Sequence, residues 1–271
     1  MSPSPVRAEE ASPPPTPPAP PASRGHGRAI VVGASSGIGA ALVRRLARDG
    51  YRVAALARRR PELERLAEEV RGEGDEVIVR SHDVTEADEV PGLFEELVRE
   101  LGGLDLLIFA AGIMPAVGER EYDTGKDLAI LAVNTLGCVA WCNPAAELFA
   151  SQRSGTIVGI SSVAGDRGRR GNPAYCTSKA AMNTYLEALR NRLGAFGVHV
   201  CTIRPGYVDT VMTKDVQGSF VMPVIPVEDA AAAIVTAARR GTNVRYVPAR
   251  WRWIMLVIRM IPSFLFRKLN V

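Results

Sequence analysis

From Arg28 onward the chain alternates short runs that are apolar at nearly every position with longer stretches whose apolar residues recur at helical spacing. The apolar runs are "AIVVG", "RVAALA", "EVIVRSH", "LDLLIFAAG", "GTIVGISS", "VHVCTIRPG" and "VRYVP"; helical periods fall between them near residues 37–49, 61–71, 86–101, 125–151, 174–194 and 227–239. A strand that is apolar on both faces has to be covered on both, as happens in a parallel sheet with helices above and below. The alternation therefore predicts an α/β fold, a doubly wound parallel sheet, in a single domain of about residues 28–250 with no repeat and no internal linker.

The two ends depart from this pattern. Residues 1–27, with "SPPPTPPAPPAS" at their centre, offer almost nothing apolar to bury and read as a disordered proline-rich arm. No apolar block of the length of a secretory signal, about 7–15 residues, follows the first charges, so the reading is cytoplasmic. At the other end, Arg250, Arg252, Arg259, Arg267 and Lys268 face no acid as far as Val271, while the remaining 249 residues hold 28 basic and 29 acidic groups. The net charge of +4 thus belongs to the tail, which argues against a nucleic-acid surface on the body. Cys138, Cys142, Cys176 and Cys201 lack paired metal spacing, and His26, His82 and His199 are isolated, so the cysteines read as structural thiols and a metal mechanism is not expected.

Candidate chemistry begins where the first strand meets the first helix. "VVGASSGIGAAL" places Gly33, Gly37 and Gly39 in that turn, the Rossmann-like arrangement: a sharp bend, a close approach of backbone to pyrophosphate, and tight packing of helix on strand. Ser35 and Ser36 add hydroxyl donors. The second strand ends "ALARRR", with Ala57 where a carboxylate would bind the ribose of NAD and with Arg58, Arg59 and Arg60 after it, which predicts NADP(H). Farther on, "AYCTSK" sets Tyr175 and Lys179 one helical turn apart. Such a pair is either an ordinary exposed pair or an acid beside the cation that tunes it.

Taken together, these motifs resemble the short-chain dehydrogenase/reductase family over roughly residues 28–210. "GASSGIG", including Ile38, resembles its cofactor loop; Asp83 and Val84 resemble its adenine-contacting pair; "AAG" with Ala111 and Gly112 resembles the end of its fourth strand; "RPGYVDT", with Pro205, Gly206, Val208 and Thr210, resembles the segment that closes over nicotinamide. Asn134, Ser162, Tyr175 and Lys179 fall where the family carries its catalytic tetrad, and Phe109 stands where it usually has asparagine, for which local repacking is expected. The resemblance implies that Tyr175 protonates the alkoxide left by hydride transfer, with its phenol tuned toward neutral pH by Lys179, which also holds the nicotinamide ribose. Ser162 would bind the oxyanion while Ser161 points away, and Asn134 would hold a water linking Lys179 to solvent. It also implies a homodimer or homotetramer through the long helices before and after strand five.

The implied activity is hydride transfer between a nicotinamide and a carbonyl or secondary alcohol of a small-molecule substrate. An epimerase or dehydratase on this fold is a weaker option, and a non-catalytic NADP-binding regulatory or assembly protein is the alternative from another class. "DRGRRGNP" puts Arg167, Arg169 and Arg170 between Ser162 and Tyr175, either as a solvated loop or as a site for phosphate or carboxylate. Residues 251–271 form an amphipathic tail, "WRWIMLVIRMIPSFLFRKL" and two more, too short and too interrupted to span a bilayer. Trp251, Trp253 and Phe264 either meet a membrane surface or pack on the domain or a partner copy, capping the pocket. This tail and "SSVAGDRGRRGNPAY" are also similar to stretches of bacterial reductases acting on a 2-keto-pentose carried by polyprenyl phosphate, which makes lipid-linked or phosphorylated keto compounds a first screen. Residues 211–226, "VMTKDVQGSFVMPVIP", read as a mobile lid with an apolar inner side.

Overall fold

Successive side chains of a strand point to opposite faces, and here both faces are apolar: Ala29 and Val31 enter one core, Ile30 and Val32 the other. A computed structural model describes residues 27–71, 77–213 and 224–269. Its strands are β1 (Gly27–Val32), β2 (Tyr51–Ala57), β3 (Val77–Ser81), β4 (Leu106–Phe109), β5 (Thr156–Ile160), β6 (His199–Pro205) and β7 (Val244–Val247). All pair in parallel, in the order β3-β2-β1-β4-β5-β6-β7. The order reverses between β1 and β4, which opens a crevice at the carboxyl ends of the strands, where open sheets of this kind take their ligands.

One layer is α1 (Gly37–Arg48), α2 (Arg60–Arg71) and α7 (Val227–Arg239); the other is α3 (Val90–Leu101), α5 (Gly137–Gln152) and α6 (Pro173–Leu193), with α4 (Thr124–Leu131) leading into α5. Each predicted strand and helix is present within a few residues of its expected place. The region read as one helix near 125–151 is broken by a π-helical turn at Ala132–Leu136, which contains Asn134. The run Thr124–Gln152 is long and apolar enough to cross a membrane by composition, yet Trp141, Cys142, Ala145 and Phe149 are fully buried against the sheet. Phe109, in the asparagine's place, is fully buried in the same core, so an apolar side chain fills the position.

Beyond β7 the chain forms α8 (Trp251–Met260) and the single turn α9 (Ser263–Phe266). The expected arm lies outside the described residues except for Gly27, as does 214–223 of the expected lid. The described residues of that lid are pinned: Ile225 O accepts from Asp209 N at 2.9 Å, Ile225 N donates to Tyr207 O at 3.2 Å, and Thr213 N donates to Thr210 O at 3.0 Å.

Candidate active site

Gly33 follows β1 with φ +93°, a conformation costly for any residue bearing a Cβ, and a Cβ there would lie 2.4 Å from the backbone nitrogen of Ala111. The turn is therefore pressed against the end of β4, and a Cβ on Gly39 would lie 2.1 Å from Gly33 O, which draws α1 close to the strand. The first turn of α1 carries no acid, so its free N–H groups meet no competing carboxylate. Thr210, from the segment after β6, reaches across the same turn, with its methyl 3.2 Å from where a Gly37 Cβ would stand. Val208 is buried beside it.

The arginines after β2 separate. Arg59 donates to Ser35 Oγ at 2.9 Å and to Ser36 Oγ at 2.8 Å, so its guanidinium lies on the glycine turn. Arg58, singled out from the sequence, turns instead to Asp83, 3.5 Å away, and is mostly exposed. Burial would raise the Asp83 carboxyl, but hydrogen bonds from the N–H and hydroxyl of Thr85, with Arg58, outweigh it and leave it below the usual carboxylate range. Val84 packs on Gly137 at the start of α5. Arg59 was the less expected member: three consecutive arginines give no sequence signal of which one faces the loop.

The reacting groups assemble on β5 and α6. Asn172 caps α6 by accepting from Tyr175 N at 3.0 Å and donates to Pro115 O at 3.1 Å, with Pro173 in the first turn. The Tyr175 phenol is buried close to Ser162, whose hydroxyl favours the ionised phenol and accepts from Ala164 N at 3.1 Å. Ser161 faces elsewhere, donating to Lys179 O at 3.1 Å. Asn134 is buried with every amide group committed: it accepts from Ile113 N at 2.8 Å and donates to Ile113 O and Ser178 Oγ, both at 3.0 Å. Ser178 in turn donates to Tyr175 O at 2.8 Å. The side chain of Asn134 is therefore a brace between the end of β4 and α6.

The electrostatics correct one expectation. Burial pushes the Tyr175 phenol above its ordinary 10.0, against opposing effects of Ser162 and the Arg169 guanidinium. Lys179 Nζ lies 5.8 Å from the Tyr175 ring centre, donates to Ile160 O at 3.0 Å, and is pulled down to about 8 by burial. In this arrangement the phenol is held protonated, and the ammonium belongs to the end of β5. Lys179 Nζ and Asn134 Oδ1 both flank Gly112, 3.4 and 3.3 Å from where its Cβ would be.

The loop between Ser162 and Tyr175 is tied to the tail. Arg167 donates to Ile258 O and, at 2.6 Å, to Ile261 O, closing the end of α8, and lies 3.9 Å over the Phe266 ring. Arg170 donates to Arg267 O at 3.2 Å and pairs with exposed Glu119 at 3.7 Å. Buried Asp166 pairs with Arg204 at 2.9 Å and accepts from Tyr246 at 2.7 Å. Trp251, expected among the interfacial aromatics, is instead buried with Met255 against Val163, close enough to Gly206 that a Cβ there would lie 1.8 Å from the indole nitrogen. Trp253 and Phe264 are exposed.

The residues present suit a nicotinamide dinucleotide: a glycine turn facing a carboxylate-free helix start, hydroxyls and a guanidinium beside it, and a lysine, serine and tyrosine at the next strand ends. Comparison with known proteins agrees. The sequence pattern of the short chain dehydrogenase family matches residues 28–219. An uncharacterized oxidoreductase of Myxococcus xanthus (strain DK1622) is 37% identical over 195 residues, 72% of this chain and 76% of that protein. The 3-oxoacyl-[acyl-carrier-protein] reductase of Homo sapiens is 32% identical over 72% of this chain and 81% of its own. The crystal structure of a short-chain type dehydrogenase/reductase from Mycobacterium marinum superposes with a TM-score of 0.74 at 27% identity, over 79% of this chain and 89% of that one. Sequence, fold and the convergence of these side chains at the carboxyl ends of the strands agree that the chain belongs to the short-chain dehydrogenase family.

Proposed function

We propose that the protein is an NADP(H)-dependent carbonyl reductase, reversible as an alcohol dehydrogenase, with Tyr175 as its proton donor. The observation that carries this reading is the buried Tyr175 phenol, under the influence of Ser162, on the same helix as Lys179, whose ammonium donates to Ile160 O at the end of β5. Gly33, Ser35, Ser36, Gly37, Ile38 and Gly39 would hold the pyrophosphate side of the cofactor, and Arg59, with Arg58 behind it, the 2′-phosphate. Asp83 and Val84 would meet the adenine, Ala111 and Gly112 the sugar side, and Pro205, Gly206, Val208 and Thr210 the nicotinamide. When bound, the nicotinamide supplies or accepts the hydride.

The protein's own part is proton handling and orientation. A phenol held protonated at neutral pH is the loaded form of the acid, and it donates to the substrate oxygen as negative charge develops there. Ser162, whose oxygen accepts from Ala164 N and whose own proton is thereby free, would supply a second donor to the same oxygen. Lys179 would hold the ribose and stabilise the phenolate once the proton has left, and Asn134 keeps the end of β4 and α6 in register around it. Of the loop arginines, Arg167 and Arg170 are engaged by the tail, so recognition of a phosphorylated or lipid-linked keto substrate rests on Arg169, whose charge acts on Tyr175. Assembly as a homodimer or homotetramer would use the outer faces of α5 and α6.

The test is Tyr175→Phe. The variant should bind NADPH as the wild type does, and NADPH oxidation across ketones, 3-ketoacyl thioesters and phosphorylated or lipid-linked keto-sugars should fall by about two orders of magnitude or more. Undiminished turnover would remove the phenol from the mechanism.

A further inference from the structure

The tail has two apolar faces, and the fold uses one. Trp251 and Met255 are buried, with Ile254 and Ile258 packed beside them. On the outer side Trp253 is 64% exposed, Val257 63%, Met260 75% and Phe264 59%, with Leu256 and Leu265 between them. Seven of the fifteen exposed large apolar side chains among the described residues lie between Trp253 and Leu269, which concentrates exposed apolar surface on one short segment.

The charges around that face have one sign. Arg252, Arg259, Arg267 and Lys268 accompany it, and no acid occurs from Arg250 to Val271. Two clefts flank the tail. One, of about 450 Å³, is walled by Arg167, Arg170 and Arg267 with Phe266 and Leu269. The other, of about 300 Å³, is walled by Arg252 and Arg259 with Trp253 and Leu256. Each combines guanidinium groups with apolar side chains, and among the described residues no acidic side chain lines either, the chemistry that suits a phosphate carried on a hydrocarbon.

We propose that α8 and α9 dock the protein on an anionic phospholipid surface, with the outer apolar side chains in the headgroup boundary and lipid phosphates met by Arg252, Arg259, Arg267 and Lys268 of the tail. An interfacial helix binds through buried apolar area together with the attraction of Lys and Arg for anionic headgroups, and both elements lie on this face. A second copy of the chain fits it less well, since a symmetric contact would bring Arg252, Arg259 and Lys268 against their own equivalents. The face is held rigidly: Trp251 and Met255 anchor α8 beside Val163, next to Ser162, and Arg167 closes its carboxyl end. Docking would therefore set the Ser162–Tyr175 loop against the lipid boundary.

The test is cosedimentation of the full chain with vesicles of phosphatidylglycerol or of phosphatidylcholine, alongside Trp253→Ser/Phe264→Ser and Arg252→Gln/Arg259→Gln proteins and with light scattering of each. Expected are binding to phosphatidylglycerol that weakens with salt, little binding to phosphatidylcholine, and a loss of about tenfold or more in partitioning for either double variant, with unchanged melting and unchanged NADPH binding. Equal sedimentation with both lipids, wild-type partitioning by both variants, or a wild-type dimer that the Trp253→Ser/Phe264→Ser change splits without any vesicle binding would each overturn the proposal. The readout needs no turnover, so it stands or falls separately from the reductase reading.

Discussion

Replacing Lys179 with methionine removes a charge that the fold holds against its own stability. Burial draws the ammonium from its ordinary 10.5 to about 8. At about 1.4 kcal/mol per pH unit, that difference costs the native state about 3 kcal/mol wherever the pH lies below about 8. The sign follows from counting protons. Between about pH 8 and 10.5 the unfolded chain keeps the Lys179 proton that the native chain has released, so stability from this group rises with pH across that window, and the full cost stands below it. Against this, methionine leaves the Ile160 carbonyl without the 3.0 Å hydrogen bond from Nζ, a loss of about 1–2 kcal/mol. The Lys179→Met protein, free of cofactor, should therefore be about 1–2 kcal/mol more stable than wild type at neutral pH, with the difference vanishing or reversing by about pH 10. Urea unfolding of both proteins at a series of pH values measures it, since other titrating groups are common to the two. Parallel stability curves, or a large loss at neutral pH, would refute the argument that the lysine is carried at a cost for its chemistry. NADPH oxidation by the variant should be lost in either case.

Two further substitutions probe the cofactor end. Arg59→Ala removes the guanidinium on Ser35 and Ser36 and should raise KM for NADPH by about 10- to 100-fold, the worth of a charge-assisted bond, while leaving NADH kinetics nearly unchanged; Arg58→Ala, which frees Asp83, should do less, and equal effects on both cofactors would defeat the 2′-phosphate assignment. Gly33→Ala places a Cβ 2.4 Å from Ala111 N at φ +93° and should lower the melting temperature by about 6–12 °C with loss of cofactor binding, whereas Gly92→Ala in α3, with nothing within 4 Å of the new Cβ, should leave stability unchanged or slightly raised; a Gly33→Ala protein that melts with wild type would show that the turn relaxes freely.

The sheet and its helices were legible because doubly covered strands are apolar throughout, so periodicity alone separated "AIVVG" from the helix starting at Gly37. The glycine turn and the Tyr175–Lys179 spacing were legible for the same reason: each is local, and a few residues specify its shape. What was not legible depends on contacts distant in sequence. Nothing in "ARRR" distinguishes Arg59, which reaches the serines of the preceding turn, from Arg58, which reaches Asp83. The commitment of Asn134 to Ile113 and Ser178 depends on a π-helical turn that the apolar pattern of residues 125–151 does not mark. The upward shift of the Tyr175 phenol comes from burial, which outweighs neighbouring charge and could not be weighed from spacing.

The tail shows most clearly why composition alone left two readings open. "WRWIMLVIRM" is apolar around most of its circumference, which suits a helix packed on its own domain and equally one lying on a lipid surface. The fold divides the residues between the two. Trp251 is taken inside because Gly206 leaves room for an indole where any side chain would collide, and Met255 follows it one turn later. Once those two are fixed, Trp253, Val257 and Met260 have to face outward. The last carbonyls of α8 are open to further donors, and Arg167 of the loop between Ser162 and Tyr175 supplies them at Ile258 and Ile261. An arginine that reads from sequence either as part of a solvated loop or as an anion site is thus a clasp between the catalytic loop and the tail, joining the segment after Ser162 to a helix more than 80 residues further along the chain.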